Sequence, residues 1–245
     1  MVWHLCAFYA SVPENSVDYE LTAVTDDVLT RSGTTRFFVP EDVARLAFVA
    51  KFRANRATRV FTPSLEVRRI RKHVKITSVA NGIVDETPVT LVPTEELSVL
   101  ASNPGTSAET NACLVALGTP ELTDLSDAML VRATATANLT AGAWTTVKIT
   151  PEVQLEAGSY QLVGVIPYVG TTNDFKAVRF LIAGQVYRPG ILALDSNAVV
   201  DPDSLAGRGL NFGSFTHLTV PEIQVFSVVG GSGIPIELWL YLKKA

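Results

Sequence analysis

SYQLVGVIPYV (159–169), FKAVRFLIAG (175–184), EIQVFSVV (222–229) and IPIELWLYLKK (234–244) decide how this chain is read. Each is a short run of alternating or β-branched residues bounded by Gly, Pro, Asn or Asp, which is how strands separated by turns are written. The same pattern runs back to the amino terminus: VWHLCAFYA (2–10), VDYELTAVT (17–25), TRFFV (35–39), RLAFVAKFRA (45–54), ATRVF (57–61), VKITSV (74–79), PVTLV (88–92), NACLVALG (111–118), AMLVRATATANL (128–139) and WTTVKIT (144–150). About fourteen strands follow. Helical signals are brief. VPEDVARLA (39–47), PTEELSVLAS (93–102) and TPELTDLSDAML (119–130) each predict one or two turns, because none sustains an apolar helical period.

A single jelly roll holds about eight strands, so this number predicts an all-β protein built as an antiparallel β-sandwich of jelly-roll type, doubled in tandem, with short incidental helices. The expected halves are 1–122 and 123–245, with the junction in ALGTPELTDLSD (116–127), where turn residues and acids replace the strand pattern. No sequence repeat relates the halves; the duplication rests on strand number alone, and a single large barrel with long excursions is the alternative.

Composition fits a globular protein: 245 residues, 47% apolar, 18% charged, net charge −4, mean hydropathy +0.26. Disorder, collagen-like repeats and nucleic-acid binding by bulk positive charge are excluded. Two cysteines, Cys6 and Cys113, are too few for a disulfide framework or a thiolate zinc site and are expected as free thiols. The amino-terminal stretch lacks a basic region and a long apolar core, so it is expected as a first strand, and no apolar run approaches a bilayer span.

Charge is segregated. Ten of the 20 Lys and Arg residues lie within 45–75, against one acid, Glu66, while 76–131 holds none and carries eight acids. The basic residues Lys51, Arg53, Arg56, Arg59, Arg68, Arg69, Arg71, Lys72 and Lys75 are therefore the candidate contact site. Three readings stand: a surface for anionic lipid or packaged nucleic acid without sequence specificity, a contact with an acidic neighbouring subunit, or a solvated face. Interleaved exposed aromatics that would stack bases are missing from this segment.

No catalytic or ligand-binding pattern is written in the sequence, so no enzyme activity, cofactor, metal or small-molecule substrate is expected. His4, His73 and His217 are widely separated, and Gly230-Gly231-Ser232-Gly233 lies between two strands as a hairpin turn, not at a nucleophile elbow. Asp195, Asn197, Asp201 and Asp203 form an oxygen-rich loop without the spacing of a calcium hand, which favours turn chemistry. Asn138-Leu139-Thr140 matches a glycosylation sequon, and Trp3, Trp144 and Trp239 are expected in the core.

FRANRATRVFTPSLEVRRIRKHV (52–74) and, more strongly, LEAGSYQLVGVIPYVGTTNDFKAVRFLIAGQVYRPGILALDS (155–196) resemble jelly-roll coat proteins of icosahedral prokaryotic viruses, in a lineage of which many members enclose a membrane. The likeness is carried by Ala157-Gly158-Ser159-Tyr160, Ala177-Val178-Arg179-Phe180 and Arg188-Pro189-Gly190. It implies a bacteriophage-type virion protein residing in the capsid shell, self-assembling as a homotrimer whose paired sandwiches make a nearly six-sided tile, with other capsid proteins as partners. A lectin-like carbohydrate-binding sandwich, secreted or at the cell surface, is the alternative from another class.

Overall fold

The computed structural model describes residues 3–52, 57–69, 72–74, 81–85, 88–170, 175–193 and 209–245, with the backbone course alone at 72–74 and 81–85. Among the described residues strand outweighs helix, 59% against 4%, and the fold is all-β with antiparallel, jelly-roll-like sandwiches. The chain divides into two compact units, Val2–Thr119 and Pro120–Ala245; the boundary expected from the sequence lies between 122 and 123.

The first unit contains β1 (Trp3–Val12), β2 (Ser16–Glu20), β3 (Thr22–Ala23), β4 (Arg31–Ser32), β5 (Arg36–Phe38), β6 (Arg45–Phe52), β7 (Thr58–Phe61), β8 (Lys72–Val74), β9 (Asn81–Asp85), β10 (Val89–Thr90), β11 (Glu96–Asn103) and β12 (Glu109–Gly118). One sheet runs β3-β1-β12-β6, with β9 and β10 side by side along the far edge of β6. The other runs β4-β5-β11-β7-β8, with β2 sharing the β5 edge of β11. The second unit contains β13 (Met129–Leu139), β14 (Ala143–Val147), β15 (Thr150–Pro151), β16 (Ser159–Val169), β17 (Lys176–Leu181), β18 (Gly190–Leu192), β19 (Gly213–Thr216), β20 (Glu222–Ser227) and β21 (Gly231–Lys244). Its sheets run β15-β13-β21-β16-β19 and β14-β20-β17-β18.

Ranked by position, eight principal strands are wired identically in each unit, β1, β5, β6, β7, β8, β9, β11 and β12 in the first and β13, β14, β16, β17, β18, β19, β20 and β21 in the second. The first pairs the last, the last pairs the third and the third pairs the sixth; the second pairs the seventh, the seventh pairs the fourth and the fourth pairs the fifth. This is the double Greek key of a jelly roll. The duplication is thus a repeat of topology between halves whose sequences do not repeat. Each interior is closed by an edge-to-face aromatic contact. Phe8 on β1 meets Phe37 on β5 with centroids 5.3 Å apart, and Phe180 on β17 meets Phe212, just before β19, at 5.4 Å.

Several local expectations are corrected. PTEELSVLAS is a turn at Thr94 followed by β11, whose Leu97, Val99, Ala101 and Asn103 are buried on one face while three strands pair along its length. Tertiary pairing there overrides the helix propensity of its Glu and Leu residues. TPELTDLSDAML holds no helix; Asp124 accepts from the Ser126 amide at 3.0 Å and shapes a turn. VPEDVARLA keeps only a 3-10 turn at Glu41–Val43 before β6. The one α-helix among the described residues, α1 (Pro63–Val67), lies in TPSLEV: Thr62 caps it by accepting from Leu65 N at 3.3 Å, and Pro63 occupies the first turn.

Candidate functional surface

The basic segment is spread over β6, β7, α1 and β8 of the first unit, and its members have different fates. Lys51 is a correction: it is fully buried, opposite Cys113 of β12, on the face of the sheet that also carries Phe8. The reason is register, since alternation from Phe8 through Cys113 turns Lys51 into the sandwich and away from any contact surface. Burial pushes its amine below the ordinary value, the nearby Cys113 thiol opposing this, while burial pushes the Cys113 thiol up to about 12.

Arg59 projects outward from β7 and is clamped within its own unit, with Nη1 on Glu66 and Nη2 on Asp18, each at 3.0 Å, and its guanidinium 5.5 Å from the Phe61 ring. Arg68 closes α1 and donates to the carbonyls of Ser64 at 3.3 Å and Thr90 at 2.7 Å. Its charge also helps hold Glu95 below the usual carboxylate range, where burial is outweighed by hydrogen bonds from Ser64 and Thr62. Arg69 is exposed, with φ +55°. Lys72 lies on β8, where only the backbone is described; Arg53, Arg56, Arg71 and Lys75 lie outside the described residues. Among the described members, then, Arg68 and Arg69 form the exposed basic corner at the end of α1.

The outer face of the sheet holding β5, β11 and β7 is open and charged. Arg36 donates to Glu20 at 2.7 Å and to Glu96 at 2.6 Å, and Ser32 also donates to Glu96. These bonds raise the Arg36 value, Glu20 acting most, and hold Glu96 low, Ser32 and then Arg36 acting most. In the second unit the open outer face belongs to the other sheet, β13-β21-β16. Leu130, Tyr168 and Trp239 occupy it beside Arg132, which pairs Glu237 at 2.6 Å and also Glu152, while Trp239 Nε1 donates to Glu237 at 2.6 Å.

The outer face of β14-β20-β17 is closed instead. Arg179 is 1% exposed, stacks 4.1 Å from the Trp144 ring and donates through Nε to Gln224 at 2.7 Å. Lys176, three residues earlier on β17, lies on the opposite face with Val178 and Phe180, is buried, and donates to the Val169 carbonyl at 2.8 Å. Nothing in the sequence distinguished these two cations or Lys51 from surface charges except their position inside strongly apolar runs. Trp3 is buried against Phe48, whereas Trp144 and Trp239 lie on different sheets of the second unit, so the last two do not share a face.

The described members of the remaining sites have structural roles. His4 is buried 3.0 Å from Asp26, which also accepts from the Val28 and Leu29 amides. His217 accepts from the Gly158 amide at 3.2 Å, and the side chain of His73 is not among those described. Gly230 begins the turn from β20 to β21, and Ser232 donates to Asn138 of the sequon at 2.8 Å. Asp195, Asn197, Asp201 and Asp203 lie outside the described residues. Cys6 and Cys113 are buried free thiols. Among the described residues no cluster of three or more His, Cys, Asp or Glu is placed to hold a metal, and no helix is long and apolar enough to cross a membrane. No protein-family model matches the chain, and no curated protein matches it.

Proposed function

We propose that this chain is a structural subunit of an icosahedral shell, a coat protein of a prokaryotic virus that assembles with copies of itself and with companion coat proteins. The observation that carries this reading is the identical jelly-roll wiring of its two units. A chain with two like sandwiches offers two like sets of lateral faces, so three copies make a nearly six-sided tile whose contacts recur by symmetry. The two stretches that resemble such coat proteins also fall in corresponding places, 52–74 across the end of β6, β7, α1 and β8, and 155–196 across β16, β17 and β18.

In this reading the protein acts by association and turns over no substrate. The partly exposed apolar side chains of the open faces, Phe38 in the first unit and Leu130 and Tyr168 in the second, serve lateral contact. The Arg68–Arg69 corner meets an acidic neighbour or anionic contents without reading a base sequence. Sedimentation of the purified full chain together with electron microscopy tests the proposal. Trimers or regular shells are expected; a monomer across the micromolar range that forms no shell and binds a glycan would replace it with the carbohydrate-binding alternative.

A further inference from the structure

Two surfaces of this chain carry opposite charge around an exposed apolar side chain. The first is the corner where α1 ends. Val67, Arg68 and Arg69 follow one another there, and Arg68 Nη2 donates at 2.7 Å to the carbonyl of Thr90, the residue opposite Arg45 in the β6–β10 ladder. Three arginines are thus brought to one place. The side chains of Arg45 and Arg69 are exposed and have no ion-pair or hydrogen-bond partner among the described residues, and the charge of Arg68 is met by Glu95, which Ser64 N holds at 3.1 Å. Arg36 and Arg59, in contrast, are each clamped by two carboxylates. Arg69 also occupies the left-handed position after a helix, φ +55°, that Gly normally fills, so an exposed guanidinium is kept there against a conformational cost.

The second surface is the loop 119–128 that leads into β13. Glu121, Asp124 and Asp127 are exposed on it, and among the described residues the one cation within ion-pair distance of them is Lys243, 3.8 Å from Asp124. The loop is fixed by the residues before β19: Thr123 N donates to the Gly209 carbonyl at 2.6 Å, Asn211 N to the Glu121 carbonyl at 2.9 Å, and Asn211 Nδ2 to the Glu121 carboxylate at 3.1 Å. Leu122 is held outward between these bonds. Val67 and Leu122 are each 84% exposed, more than any other large apolar residue described. A lone exposed apolar side chain is ordinary. Here each one is flanked by charge of a single sign, and the two signs are opposite. An apolar centre inside a polar rim is how a protein–protein interface is built.

We propose that the corner formed by Arg45, Val67, Arg68 and Arg69 of one copy docks on the loop carrying Glu121, Leu122, Asp124 and Asp127 of a second copy. The inference rests on the shell reading and names the contact through which the copies meet. The contact is heterologous: each chain carries both halves, so it runs head to tail and closes into a ring where the rotation allows, as with three copies about a three-fold axis. Val67 and Leu122 exclude water at its centre while the arginines meet the carboxylates around them. A phosphate backbone would match the arginines alone and leave the acidic loop and both apolar side chains without a counterpart. The second copy matches all of them.

Sedimentation of the full chain across the micromolar range tests the contact. Wild-type association should weaken as salt rises. Arg45→Glu combined with Arg69→Glu, and separately Glu121→Lys combined with Asp127→Lys, should each weaken association about tenfold or more in a protein that still melts cooperatively. The chain carrying all four reversals should associate as the wild type does, because both surfaces change sign together, a recovery that damage to the fold would not produce. If the wild type associates and either pair of reversals leaves it unchanged, this contact is overturned and the shell proposal stands. A cooperatively melting chain with all four reversals that fails to recover overturns the contact as well. A wild type that stays monomeric and forms no shell overturns both readings. If the arginine variant associates normally and loses only the retention of a single-stranded oligonucleotide, the corner faces nucleic acid and the contact between copies is wrong.

Discussion

The two jelly rolls share one wiring and differ in which outer face is closed. In the first unit β1 and β12 are buried on both faces over most of their length, while the β5-β11-β7 side presents Arg36, Arg59 and their carboxylates. In the second, β21 alternates strictly, with Ile234, Ile236, Leu238, Leu240 and Leu242 inside and Glu237, Trp239 and Tyr241 outside, while β14-β20-β17 is the closed side and carries Arg179. Strand order is therefore set by the interior pattern alone, and the outer faces are free to diverge. What an outward-facing cation does depends on whether its face is open or closed: Arg36 is paired in the open, Arg179 is stacked and hydrogen-bonded in the dry.

The largest expected effect comes from the element that the units have in common. Phe8→Ala and Phe180→Ala each remove one ring of the edge-to-face contact that joins the two sheets of a unit, and each should cost about 3–5 kcal/mol. Hydrogen exchange should show protection lost first in the unit that carries the substitution. Equal loss for both variants would support equivalent interiors, whereas a loss of under about 1 kcal/mol for either would show that its aromatic contact is not a core contact.

The next test separates the closed face from the open one. Arg179→Ala leaves Gln224 Oε1 without its donor and a void beside Trp144, and is expected to cost about 3 kcal/mol. Arg36→Ala removes a cation with two carboxylate partners in a half-exposed setting and is expected to cost under about 1 kcal/mol. Denaturant titration of the two variants measures both. Similar losses would break the distinction drawn between the faces.

These contrasts also explain what was legible beforehand. Strands such as β16 and β21 announce themselves because Val, Ile, Leu and aromatic residues recur between turn residues, and strand number then implied two sandwiches. β11 was hidden because ELSVLASN carries helix-favouring residues and becomes a strand only through partners distant in sequence. β9, β18 and β19 are short pieces, five, three and four residues, too brief to show a period. The candidate site was less legible than the fold. Lys51 reads as one more charge in a basic run, and only its register opposite Cys113 turns it inward. The pairing of Asp18 with Arg59 spans 41 residues, so the acids that neutralise the basic run were invisible as its neighbours.

Glycines sharpen the comparison at a smaller scale. A Cβ at Gly190 on β18 would lie 2.5 Å from both the Val178 carbonyl oxygen and Arg179 Cβ, so Gly190→Ala must displace the strand beneath the closed face, at about 1–3 kcal/mol. At Gly33 in the first unit nothing lies within 4 Å, and the only cost is the backbone at φ +64°. Gly33→Ala should therefore cost about 1 kcal/mol. If melting temperatures fall equally, the close approach at Gly190 costs no more than the left-handed backbone at Gly33.

The smallest effect concerns the two open faces, which carry matching clamps. Glu96 is held below the ordinary carboxylate value of 4.5 by hydrogen bonds from Ser32 and Arg36, and Glu237 by those from Arg132 and Trp239. A carboxylate whose folded value lies below its unfolded one releases its proton more readily when folded, so the unfolded chain binds more protons as the pH drops. The stability each group contributes is therefore complete above about pH 4.5 and drains away as the pH falls through the lower folded value. Melting temperatures of the wild type, Glu96→Gln and Glu237→Gln between neutral pH and pH 3 should show the wild type losing more on acidification than either variant, with the gap narrowing at high salt. Equal acid slopes for wild type and Glu96→Gln would mean that the Arg36 clamp exerts no pull on its carboxylate. A flattened slope for Glu237→Gln alone would confine the acid response to the open face of the second unit.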